Sequence, residues 1–226
     1  MECLTTALDA VDTQEKKEPE ISNAPKTKRN LADIWSEIQG ANKWEGLLDP
    51  MDDILRKEII RYGEFAQACY DASDFDPFSK YCGSCKYHRR KLFHGGGMSD
   101  YGYEVMKYLY ATLNINLLGL FQKPRMQKLW STHANWMGFI VVATDEDEIK
   151  RFGRRDIVIA WRGIVTNLEW IADLMDYLRP AELNTMPPHP DVKVEAGFLN
   201  LYTAREHDCR FCKNSARDQV LKSCRS

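Results

Sequence analysis

Two Cys-x-x-Cys pairs, Cys82-Gly-Ser-Cys85 and Cys209-Arg-Phe-Cys212, have the spacing of zinc knuckles. Four such thiolates could close a tetrahedral zinc site. The distance between the pairs is far longer than in a compact zinc ribbon, which favours disulfides or reduced buried thiols over a metal. Cys82, Cys85, Cys209 and Cys212 are therefore weak metal candidates, and no metal or other cofactor is expected. His94-Gly-Gly-Gly97 is an order that can turn backbone N–H groups toward a developing oxyanion. Here it follows His88-Arg-Arg-Lys-Leu-Phe93 rather than a buried strand, and no Gly-x-Ser-x-Gly elbow occurs in the 226 residues. A loop accounts for it better. Ser131 and His133 stand two apart, a spacing that does not align a nucleophile with its base. His88, His189 and His207 are lone polar residues near loops or helix surfaces. Glu169, Asp173 and Asp176 could chelate a cation, but they face away from an apolar arc and fit a solvated stripe better. The residues taken by their chemistry make no complete active site.

The element best suited to position chemistry is 156–177, DIVIAWRGIVTNLEWIADLMDY. Ile157 to Trp161 predicts a buried strand running into Arg162-Gly163 and a turn. Thr166-Asn-Leu-Glu169 has the Thr-x-x-Glu order that caps a helix start. Trp170, Ile171, Leu174, Met175, Tyr177 and Leu178 then span an apolar arc of roughly 160° at helical spacing. A strand, a Gly turn and a short amphipathic helix suit an oxyanion loop and lid. They equally suit an ordinary strand–helix joint.

Around this stretch the chain reads as a mixed α/β protein. Residues 1–30 mix acids and bases with few large apolar residues and predict a disordered leader. Its acids argue against an intact organellar transit peptide. Asn30 suits the cap of a helix over 31–38 that stops at Gly40. A longer helix is expected after Asp49-Pro50, with Pro in its first turn. Its core stripe is Leu55, Ile59, Tyr62, Ala66 and Cys69, and Arg56, Lys57, Glu58 and Glu64 lie on its exposed side. Residues 74–99 read as loop, and 102–112 as a short aromatic helix packing Val105, Leu109 and Tyr110. A buried strand is expected over 136–143. Asp145 to Glu148 fits a helix N-terminus, where acids favour the dipole. A short strand at 192–194 and helices beginning near Phe198 and Asn214 complete the pattern.

A net charge of −2 gives no reason to expect nucleic-acid binding. No apolar run reaches the ~18 residues needed to span a bilayer. Seven cysteines are an odd number with no secretory signal before them, which argues against a secreted disulfide framework.

Trp161-Arg-Gly163 and Trp170-Ile-Ala-Asp-Leu174 resemble the class 3, or fungal-type, lipase family. The plant plastid-type class I phospholipase A1 branch is closer still. It is matched by Trp44-Glu-Gly-Leu-Leu-Asp-Pro50, Arg61-Tyr-Gly-Glu-Phe-Ala-Gln-Ala-Cys-Tyr70, Asp74-Phe-Asp-Pro-Phe-Ser-Lys-Tyr-Cys-Gly-Ser-Cys85, His133-Ala-Asn-Trp-Met-Gly138 and Gly153-Arg-Arg-Asp156. The likeness runs from about Leu31 to Val220. It implies the N-terminal portion of an α/β-hydrolase fold, incomplete, with 31–130 a helical N-terminal region and 131–226 the first part of the lipase domain.

The resemblance also implies removal of acyl chains from glycerolipids by a Ser-His-Asp triad with an oxyanion hole. None of the three triad residues is expected within this chain, whose text changes at Leu221 in the manner of a frameshift or early stop. The chain is accordingly expected to be catalytically dead. The family's oxyanion Thr or Ser is replaced by Ile164, and the lid would comprise Thr166, Leu168, Trp170, Ile171, Leu174 and Met175. Glu195-Ala196 stands where many members carry a His shortly before Gly-Phe. The expected partners are a glycerolipid or membrane surface, with association with a full-length relative as an alternative, and no nucleic acid. The resemblance implies a plastid location; the leader leaves a cytoplasmic one open.

Overall fold

The computed structural model describes residues 29–76, 78–112, 134–163, 177–181 and 191–225. The leader up to residue 28, Ser131, His133, His189, Ile164 and the expected lid residues from Thr166 to Met175 lie outside the described residues. Helix α1 (Leu31–Ile38) has the expected bounds, with Asn30 extended at its N-cap but making no side-chain cap bond. The Trp44 indole N–H closes its other end on the Ile38 carbonyl at 2.8 Å.

Helix α2 (Asp53–Ala72) begins after Pro50 rather than at it. Pro50 follows a cis peptide bond. The Asp52 carboxylate caps the helix, accepting from the N–H groups of Ile54 and Leu55 at 2.9 and 3.2 Å. Its buried face is Leu55, Glu58, Phe65, Ala68, Cys69 and Ala72. Two expectations are corrected here. Ile59 is 51% exposed, and Glu58, placed on the solvated side, is only 3% exposed. A carboxylate tolerates that burial only when paired. Glu58 meets Arg61 at 2.9 Å and also pairs with Arg151.

The helix expected over 102–112 is a strand, β1 (Tyr103–Ala111). It pairs antiparallel with β2 (Asn135–Ala143), Tyr103 opposite Ala143 and Ala111 opposite Asn135. The register shifts between Val105 and Lys107 and between Leu109 and Tyr110. Such bulges break the period-two alternation. That leaves Val105 and Leu109 at a spacing that mimics a helix. Aromatic side chains at three of the first eight positions favour a strand, and pairing with β2 decides the matter.

β3 (Ile157–Trp161) adds to the other side of β2, giving the order β1-β2-β3. The two strands approach closely at Gly138, where a Cβ would lie 2.0 Å from the Ala160 carbonyl oxygen. β3 was expected to be buried throughout; only Val158 and Ala160 are, while Ile157 is 51% and Trp161 36% exposed. Val158 and Ala160 point into the core, while Ile157, Ile159 and Trp161 alternate onto the other face of the strand. Between the strands, α4 (Glu146–Phe152) starts at Asp145, whose side chain accepts from the N–H groups of Asp147 and Glu148.

β4 (Leu178–Pro180) and β5 (Lys193–Glu195) form a separate antiparallel pair. Leu178, expected on the apolar arc of a helix, opens β4 instead because its backbone pairs with Glu195. α5 (Ala196–Thr203) and α6 (Ala216–Ser223) follow. Ser215 and Asp218 cap α6 reciprocally. Gln219 then ties α6 to β1, donating to the Tyr110 carbonyl at 2.8 Å and accepting from its N–H at 3.2 Å.

The main core lies between α2 and the sheet, around Phe65, Phe93, Trp136 and Phe139. At its edge Asp156 accepts from Tyr103 Oη at 2.8 Å, Tyr62 Oη at 3.1 Å and Arg61 Nη2 at 3.3 Å. Burial, and then the Asp156 carboxylate, push the Tyr62 phenol up to about 12. Glu148 joins through Arg151 at 3.0 Å.

Because two arginines share Glu58, Glu58→Ala takes the buried carboxylate from both and leaves Arg61 to Asp156 and Arg151 to Glu148 alone. The expected loss is about 3 kcal/mol, read as a lower midpoint in urea unfolding. At α6, the Ser215 hydroxyl bond holds the Asp218 carboxyl below its ordinary range. A depressed folded value contributes stability above the unfolded value and loses it as pH falls through the folded one. The thermal midpoints of the chain and of Asp218→Asn should therefore differ at neutral pH and converge below about pH 4.

Candidate functional site

The end of β3 delivers the chain to the position where chemistry would begin. The Arg162 N–H donates to the Met137 carbonyl at 2.8 Å, carrying the ladder one residue past the strand. The Arg162 side chain is buried, which is unusual for a charged group. Its Nε donates to the Trp136 carbonyl at 2.8 Å and its Nη1 to the Gly163 carbonyl at 3.1 Å. One guanidinium thus holds the backbone of β2 and of the departing loop together.

Gly163 stands at a close approach. A Cβ there would sit 2.1 Å from the Tyr70 hydroxyl at the end of α2, so the tip of that side chain would have to swing away. Gly163 thus lies between the Arg162 guanidinium and the Tyr70 ring. A backbone fixed in this way can present N–H groups to an anion without reorganising. Ile164 and the expected lid residues, next in sequence, are outside the described residues.

Beside it opens an apolar cleft of about 420 Å³. Met137 and Trp161 from the sheet, Val194 from β5, and Phe198, Leu199 and Tyr202 from α5 line it. Trp161 and Tyr202 meet edge to face at 6.4 Å. Sequence reasoning missed this cleft. Its walls come from six elements, from β1 to α6, and no local pattern announces their meeting.

The remaining sequence candidates lie elsewhere. His94 sits in a single helical turn, α3 (Leu92–Gly95), so His94-Gly95 is helix rather than an extended oxyanion loop. Its Nδ1 is 3.5 Å from Ser99 Oγ on the surface. The His88 ring accepts from the Arg90 N–H at 3.4 Å as a local cap. The cysteine pairs separate in role. Cys85 Sγ donates to Tyr108 Oη at 3.3 Å. The Cys209 and Cys212 thiols neighbour each other, and burial followed by Cys209 pushes the Cys212 thiol up to about 12. Among the described residues no group of three or more His, Cys, Asp or Glu stands where it could hold a metal ion.

No protein-family model matches the chain. Curated relatives do. Over 198 residues, 87% of this chain and 38% of the relative, it is 59% identical to phospholipase A1-Igamma1, chloroplastic, of Arabidopsis thaliana. It is 45% identical to galactolipase DONGLE, chloroplastic, of the same plant, over 88% of this chain and 41% of that protein. Phospholipase A1 EG1, chloroplastic/mitochondrial, of Oryza sativa subsp. indica is 43% identical over 88% of this chain and 45% of its own length. The chain spans less than half the length of these relatives. With identity at this level across most of the chain and a mixed sheet and helix architecture, the chain's close homologues are plastid phospholipases A1 and galactolipases of the class 3 lipase family.

Proposed function

We propose that this chain supplies the oxyanion-loop portion of a plastid glycerolipid acyl hydrolase of the phospholipase A1 type. The observation that carries the proposal is the 59% identity over 198 residues, a match long enough to include Trp161-Arg162-Gly163. Two features support it. The Arg162 guanidinium holds the Gly163 carbonyl, fixing the backbone that leads into the oxyanion position, as a preorganised site needs. The adjacent cleft is nearly all apolar, as an acyl chain needs.

In this chemistry a serine oxygen attacks the ester carbonyl, and the backbone N–H after Gly163 receives the charge on the carbonyl oxygen. A histidine takes the serine proton and returns it to the departing glycerol oxygen, and water then releases the fatty acid. The 226 residues contain no Gly-x-Ser-x-Gly elbow, so the nucleophile must come from residues outside them. Taken alone the chain is catalytically silent. Ile164 at the oxyanion position keeps an N–H but has no hydroxyl to brace the loop.

A chimaera tests this. The chain alone should hydrolyse neither phosphatidylcholine nor diacyl galactolipid above buffer. Joined to the remaining residues of the Arabidopsis phospholipase A1-Igamma1, it should hydrolyse both and be stopped by a serine-directed phosphonate. In the chimaera Gly163→Ala should lower kcat by about 10²–10³, the loss expected for a misplaced oxyanion donor, and Ile164→Thr should raise it. Phosphonate-sensitive turnover by the chain alone would contradict the proposal. So would a chimaera that is inactive both with and without Ile164→Thr.

The open cleft with exposed Phe198 favours a second role, as a non-catalytic lipid-surface or protein-interaction fragment. In that role the chain should sediment with galactolipid vesicles, or join a full-length relative, and Leu174→Glu in the expected apolar arc should weaken sedimentation. Equal sedimentation of the two proteins argues against it.

A further inference from the structure

The loop between α5 and α6 carries a feature that ester hydrolysis does not use. Cys209 and Cys212 lie at the two ends of a turn closed by the Cys212 N–H on the Cys209 carbonyl at 3.3 Å. A turn of this kind brings its end Cα atoms within about 7 Å, inside the range a disulfide spans. Both residues are buried, Cys209 at 7% and Cys212 at 1% exposed, and both are free thiols. The second Cys-x-x-Cys pair is arranged differently. Cys85 is bridged to Ser73 through its backbone and directs its sulfur to Tyr108, not to Cys82. Equal spacing has produced one facing pair and one divided pair.

We propose that Cys209 and Cys212 form a reversible thiol–disulfide site that takes an external disulfide as its oxidant. The Cys209 sulfur, the less enclosed of the two, attacks one sulfur of the external disulfide and releases the other as a thiol. The Cys212 sulfur then attacks Cys209 in this mixed disulfide, releasing the second thiol. The protein loses two hydrogen atoms and gains one S–S bond; the external disulfide is reduced to two thiols. Burial keeps Cys212 protonated, so it enters second.

The placement gives the bond a consequence. Phe211, within the pair, stacks on Tyr110 of β1 at 4.7 Å. The Glu206 N–H donates to the Cys212 carbonyl at 2.9 Å, and Gln219 Nε2 reaches the Asn214 carbonyl at 3.0 Å. The loop thereby connects α5, which lines the apolar cleft, to α6, which contributes Ala216 to it. Oxidation would stiffen one wall of the cleft. The ring closed is short, so its effect on global stability is small.

Trypsin gives a direct test, because Arg210 lies between the two cysteines. The 226-residue chain is equilibrated with excess glutathione disulfide, its remaining thiols are alkylated, and it is digested without reduction. Peptides 206–210 and 211–213 should appear joined, two hydrogen atoms lighter than their sum, and should separate after treatment with a dithiol. Cys82 and Cys85 should remain alkylated. The thermal midpoint should rise by about 2–4 °C on oxidation and show no such response in a Cys209→Ser/Cys212→Ser variant. Cys209 and Cys212 both alkylated, either one stably carrying glutathione, or stoichiometric zinc at the pair would each overturn the proposal. If the double variant does not fold, the joined peptide decides alone.

Discussion

The Arg61 guanidinium sits where α2 meets the sheet, and its surroundings hold the fold together. It contacts Glu58 and Asp156, shares Tyr103 with Asp156, and lies over the Phe152 ring at 4.6 Å. Arg151 reaches the same Glu58 from α4. Charge taken from water is costly unless every donor and acceptor finds a partner. The network is satisfied only when α2, α4, β1 and the start of β3 are all in place. A rearrangement of any one would leave a buried ion exposed to an apolar core.

The candidate site inherits its geometry from this network. Asp156 immediately precedes β3, so its bonds to Tyr62, Tyr103 and Arg61 fix where the strand begins. Arg162 fixes where it ends. Tyr70, further along the helix that carries Arg61, supplies the surface against which Gly163 turns. The backbone at Arg162-Gly163 is thus placed by two arginines and a neighbouring tyrosine carried on regular elements.

On the other side of the sheet edge, the cleft and the dithiol loop share the same frame. Gln219 pairs with both backbone groups of Tyr110, anchoring α6 to β1 as a strand neighbour would. Phe211 stacks on the Tyr110 side chain. A ligand in the cleft and a bond between Cys209 and Cys212 would act on one connected wall.

Local grammar determined much of this chain. Asp145 followed by acids set the start of α4, the β-branched run at 136–143 made β2, and the words around Trp161-Arg162-Gly163 disclosed the lipase kinship. These signals lie within a few residues of what they specify. Other features were decided only by tertiary structure. Tyr103–Ala111 is a strand because β2 pairs with it through two bulges that erase its period. Glu58 is inside because Arg151, remote in sequence, meets it there. The cleft and the unlike fates of two identical Cys-x-x-Cys spacings depend on which elements pack together. Burial, pairing and cavity shape are properties of distant residues brought into contact, and no local pattern encodes the contact.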